Sequence, residues 1–180
     1  MLDALRRFFE LVLEYFVILL MVVLTTIVIV AVVYRLLGSS LAWYDEVAAI
    51  LLAWITYYGS ALAALRRRHI GFDTVLLAIP MPARMVAVAV AEAVTAAFFI
   101  LLAWAGWTVM MILGGMSLVS LTWMPVSVTQ SVIPIGAILF LICQALSLPG
   151  YWVTTARGVS LEHAEIEEEV ETEMKKAGNA

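Results

Sequence analysis

The residue of this chain best placed to do chemistry is a carboxylate standing alone in oil. Glu92 interrupts an apolar run over residues 85–113, roughly 9–12 Å from the start of that run at 1.5 Å per helical residue. A charged carboxylate at mid-membrane costs on the order of 3 kcal/mol, so such groups face a partner or a cavity. The same depth on the other apolar runs falls on Thr25 and Thr26, on Tyr57 and Tyr58, and on Gln144. Two readings follow. In one, these groups form a polar layer that ties the helices together or ties them to a partner. In the other, Glu92 is part of an ion or proton relay. The layer is preferred, because a relay needs several ionisable groups in series and the run offers one.

Other chemistries find too few groups. A bis-histidine haem needs two imidazoles facing inward from the spans, and the histidines here are His69, at a helix end, and His163, near the C-terminus. No His/Asp/Glu spacing suits a metal hydrolase. Ser60 has no base within its span to activate it, and the single cysteine, Cys143, excludes an internal disulfide framework and a multi-cysteine metal site. Neither catalytic, cofactor-binding nor metal-ligating residues are expected. There is no basic surplus for nucleic acid: 14 acids face 10 bases.

The elements that must position these residues follow from composition. Of 180 residues, 64% are apolar and 13% charged, whereas a soluble domain is about half apolar and about a quarter charged. Such a chain cannot cover itself in water. Four apolar runs, over residues 15–34, 47–65, 85–113 and 132–153, each approach or exceed the roughly 20 residues that cross a bilayer as a helix. Lipid offers no partner to exposed backbone, and continuous apolarity without alternation selects helices over a barrel. The expected fold is an all-α integral membrane protein with four transmembrane helices in a membrane domain over residues 1–156, followed by an acidic tail over residues 157–180.

Orientation follows from the bases. With the N-terminus in the cytoplasm, Arg6, Arg7, Arg66, Arg67, Arg68, Arg84, Arg157, Lys175 and Lys176 share that side and only Arg35 lies opposite. That bias places both termini in the cytoplasm. Phe72, Val75, Leu76 and Ile79 recur at helical spacing, which predicts a short interfacial helix over residues 72–79, with Pro80 and Pro82 to stop it. The three consecutive arginines read as topology signals and contacts for anionic lipid. The outer connection, residues 114–131, is apolar yet broken by Gly114, Gly115 and Pro125, and Trp123 suits a membrane interface. It rests in the membrane surface or against another protein.

The run Trp43-x-x-Glu46, then Trp54, then Gly59-Ser60-Ala61, then Arg66-x-x-His69-Ile70-x-x-Asp73 resembles the small membrane subunit (DctQ-like) of tripartite ATP-independent periplasmic (TRAP) transporters. Ser60 stands where a small residue, often alanine, is usual, and Arg67-Arg68 is more basic than the common pattern. The resemblance implies a non-catalytic subunit of the bacterial inner membrane without its own transport site or cofactor. Its partners would be a large DctM-like membrane subunit, which moves an organic acid by a sodium-driven elevator motion and holds the sodium ions, and a periplasmic DctP-like binding protein. Trp43 and Glu46 would lie on the periplasmic side, while Arg66, His69 and Asp73 would order the inner loop. Glu92, Trp54 and the small-residue faces at Gly59 and Ala63 are candidates for structure or subunit contact. The other reading is a stand-alone membrane scaffold or sensor that recruits a cytoplasmic partner through its acidic tail.

Overall fold

The computed structural model describes residues 2–67 and 79–158, together with Met174. Its helices are α1 (Leu2–Leu36), α2 (Tyr44–Leu65), α3 (Met81–Ile112), the five-residue α4 (Val126–Gln130) and α5 (Val132–Arg157). Four stretches are long and apolar enough to cross a membrane: α1, α2, α3 and the α4–α5 pair. The interfacial helix expected over residues 72–79 lies outside the described residues except for Ile79, which sits in a bend. The acidic tail also lies outside them, apart from its first two residues and Met174.

The helices are longer than the apolar runs because their ends are held by side chains as well as by lipid. Helix α1 begins at Leu2 rather than near residue 15, and its early turns place Phe9 and Leu13 against the core. Helix α2 opens at Tyr44 with Asp45 and Glu46 in its first turn, where the positive end of the helix dipole favours acids. Pro82 begins α3 instead of merely ending what precedes it. It occupies the first turn behind Pro80, where backbone N–H groups have no intrahelical acceptor, so proline loses no bond there.

The main packing seams run between α1 and α2, α2 and α5, and α5 and α3, with only a brief contact between α1 and α5. Among the described residues α1 and α3 share no seam. The arrangement is an open row in the order α1, α2, α5, α3 rather than a closed bundle, and α5 at its centre buries by far the largest share of its span. The core joins Leu13 of α1, Ala61, Ala64 and Leu65 of α2, and Phe140 and Cys143 of α5, with Phe99 of α3 packed against it. Phe99 and Phe140 stack with ring centroids 3.5 Å apart.

Two glycines set how closely the row packs. A Cβ on Gly136 of α5 would lie 2.7 Å from Tyr57 Cβ, and one on Gly106 of α3 would lie 2.6 Å from Ile133 Cγ2. Neither approach leaves space for a methyl group. Small residues at such points let helix backbones come together where water supplies no driving force.

Candidate functional site: polar clamps at the two ends of the helix row

Arg67 follows Arg66, the C-cap of α2, and reaches over α5 to α3. Its backbone φ is +53°, a left-handed conformation that is uncommon away from glycine and that a rigid surrounding must hold in place. The side chain supplies that hold. Nε donates to Ser147 Oγ at 2.8 Å, Nη2 to the Gln144 carbonyl at 3.2 Å, and Nη1 to the Glu92 carboxylate. The guanidinium carbon also lies 4.7 Å from the centroid of the Tyr151 ring, within cation–π range. Glu92 takes a second bond on its other oxygen, from Gln144 Nε2 at 2.6 Å. Ser147 Oγ lies 3.0 Å from both the Ala64 and Gln144 carbonyls, to either of which it can donate. The side chains of Arg67 and Glu92 are only 15% and 17% exposed, so each charge depends on the other for compensation.

Arg66 does the corresponding work toward α1. Its Nε and Nη2 meet Glu10 and Glu14, each at 2.7 Å, and the Glu10 carboxylate, chiefly through its hydrogen bond, holds the guanidinium above its ordinary pKa. Arg6 adds a longer bond to the Leu65 carbonyl at 3.4 Å. Arg84 joins the other edge of the row, donating to the Ile79 carbonyl at 3.1 Å and to the Thr155 carbonyl of α5 at 3.3 Å. Arg66, Arg67 and Arg84 thus link all four spans at one end.

At the opposite end the link is anionic. Glu46, in the first turn of α2, accepts the backbone N–H groups of Val119 at 3.1 Å and Ser120 at 2.9 Å, and the Ser120 hydroxyl as well. Trp54 Nε1, deeper in α2, donates to the Thr129 carbonyl of α4 at 3.2 Å. Trp43 is the half-buried residue before α2, and its carbonyl accepts the Val47 N–H at 3.2 Å.

Of the groups expected in one polar layer, the structure brings Glu92 and Gln144 together and leaves the others apart. Thr25 and Thr26 each donate to the carbonyl four residues back, Met21 and Val22, at 2.8 Å on an exposed face. A threonine hydroxyl in a helix can satisfy itself in this way without a neighbour. Tyr57 packs its Cβ at Gly136. Tyr58 sits among Phe16 and Trp54, at ring-centroid distances of 4.9 and 6.2 Å. Among the described residues outside its own helix turn, no atom lies within 4 Å of the place a Cβ on Gly59 would take. His69 and Asp73 lie outside the described residues. Sequence reasoning missed Arg67 as the counter-ion, although a lone acid near a run of arginines is a signal for it. It also missed Glu10 and Glu14 as partners of Arg66.

These clamps fasten helices to one another. Among the described residues no group of three His, Cys, Asp or Glu side chains is placed to hold a metal ion. No curated protein matches the sequence. The family described as "Tripartite ATP-independent periplasmic transporters, DctQ component" matches residues 24–152, a stretch that holds Glu46, Trp54, Arg66, Arg67, Glu92 and Gln144. The chain therefore belongs to the DctQ family of TRAP transporters and is a small membrane component of such a system.

Proposed function

We propose that this chain braces a large permease subunit that imports an organic acid on a sodium gradient, and that it carries no transport site of its own. The observation that supports this most is the open row of helices. Among the described residues α1 and α3 stand at the edges of a single layer, which offers broad apolar faces to a neighbour and to lipid. In this reading the arginine-linked end is cytoplasmic, as the distribution of bases favours, the membrane is the bacterial inner membrane, and periplasmic surface outside the 113–125 loop helps receive the binding protein. Sodium belongs to the large subunit. Glu92 acts as structural glue rather than as a relay, because its carboxylate is committed to Arg67 and Gln144.

The test is purification and uptake. Affinity capture of this chain from detergent-extracted membranes should co-isolate a membrane protein of many spans. Sodium-dependent uptake of the organic acid by proteoliposomes should require both subunits. Liposomes holding this chain alone that concentrate the solute on a cation gradient would overturn the reading.

A further inference from the structure

We propose that the loop joining α3 to α4, residues 113–125, is a foot that rests in the lipid of the leaflet on the Glu46 side, held there by that carboxylate. Four observations converge on lipid as the occupant.

The first is charge. From residue 93 to residue 156 the sequence contains no Asp, Glu, Lys, Arg or His, so the loop, like the adjoining parts of α3 and α5, carries no side-chain charge. A soluble partner that must bind and release is steered by complementary charge and held within a polar rim, and this loop offers no charge for either.

The second is the state of its backbone. Leu118 N–H donates to the Met124 carbonyl at 3.0 Å, Met124 N–H to Leu121 at 2.9 Å and Val126 N–H to Met116 at 2.9 Å, while Glu46 accepts Val119 and Ser120. A loop in water can leave its amides to the solvent. A loop at the membrane surface does better the more of them its own chain satisfies: a carboxylate from α2 takes two that the turn cannot, and the amides of Gly115, Ser117, Leu121, Thr122 and Trp123 are left to the headgroup region.

The third is the direction of its apolar side chains. Leu118 is buried, whereas Val119 is 92% and Trp123 76% exposed. The exposed surface continues from Met111 and Ile112 at the end of α3, which are also exposed. It therefore extends the lipid-facing surface of that span, and tryptophan at its end suits the headgroup boundary.

The fourth is depth. Glu92 to the end of α3, and Arg67 to Glu46 along α2, are each separated by roughly 20 residues, or about 30 Å at 1.5 Å per residue. The hydrocarbon core is about as thick. With the arginine-linked end of α2 at one boundary, Glu46 and the loop it holds fall at the other.

The experiment uses the full-length chain within its purified membrane complex, reconstituted into liposomes. Val119→Cys in a Cys143→Ala background takes an environment-sensitive fluorophore, and Ser40→Cys in the exposed α1–α2 turn serves as the reference. Phospholipid bearing a nitroxide on its acyl chain should quench the label at position 119 severalfold more than the label at position 40, and aqueous iodide should do the reverse. Adding Glu46→Ala should move the position-119 response toward that of position 40. Equal responses at the two positions, or shielding of position 119 only when a periplasmic binding protein is added, would overturn the proposal. An unchanged response in the Glu46→Ala variant would overturn the clamp. Should the labelled variants fail to assemble, brominated-lipid quenching of the native chain against Trp123→Phe gives the same answer. Loss of the lipid-quenched component in Trp123→Phe supports the foot, and no change overturns it.

Discussion

Arg67 and Glu92 form an ion pair between the end of α2 and the interior of α3, and the helix between them, α5, supplies the remaining partners: Ser147, the Gln144 carbonyl and amide, and the face of Tyr151. Removing one member of a buried pair leaves an uncompensated charge, which costs about 3–5 kcal/mol. Glu92→Gln should therefore lower the thermal unfolding midpoint of the purified complex markedly. The Arg67→Met/Glu92→Met double variant, which removes both charges and keeps the volume, should recover most of the loss. If Glu92→Gln leaves stability and assembly intact while abolishing ion-coupled uptake, the carboxylate is a relay and the glue reading fails.

Arg66 holds α1 by bonds to Glu10 and Glu14, whose side chains are about a third exposed, as is that of Arg66. Pairs this open to solvent contribute about 0–1 kcal/mol each. Arg66→Ala should leave the α2–α5–α3 seams in place and loosen only the first turns of α1. Hydrogen exchange over residues 5–14 should accelerate by up to about tenfold, the factor that corresponds to about 1.4 kcal/mol, with little change over α5. A uniform acceleration across all four spans would mean that Arg66 supports the whole row.

The four spans were legible in the sequence because lipid leaves the backbone no alternative to helix, so apolar length alone identifies them. Their ends were not, since Phe9, Leu13, Glu10 and Glu14 extend α1 through contacts with α2 that no hydropathy window registers. Depth counting paired Glu92 with Gln144, whose amide donates to it. It could not exclude Thr25 and Thr26, because depth specifies a level in the membrane and not a direction around a helix. Arg67 escaped notice because a side chain that snorkels is read by where its backbone lies, while its guanidinium reaches the middle of the row.

Gly136 and Gly150 make a matched comparison on one helix. A Cβ on Gly136 would collide with Tyr57 Cβ at 2.7 Å, whereas one on Gly150 would meet nothing within 4 Å among the described residues. Gly136→Ala should destabilise by about 1–3 kcal/mol, the usual consequence of overpacking a fitted contact. Gly150→Ala should be neutral or stabilising by up to about 1 kcal/mol, as expected for glycine replaced within a helix. Thermal denaturation of the two variants side by side checks the pair. Equal loss in both would show that helix flexibility, and not the close approach at Tyr57, is what glycine supplies.

Gly59 separates packing within this chain from packing against a neighbour. Among the described residues the space around it is open: a Cβ there would meet no atom within 4 Å, and Thr56 one turn earlier is exposed. A Cβ at this position therefore displaces none of the described residues of the row α1–α2–α5–α3. If α2 presents this face to the large subunit, Gly59→Leu should abolish co-purification of that subunit while the circular dichroism and thermal midpoint of the isolated chain stay at the parental values. The smaller Gly59→Ala should retain the partner, since one methyl group needs far less displacement than a leucine. Retention of the partner by Gly59→Leu would place the subunit contact on another face and leave this one to lipid.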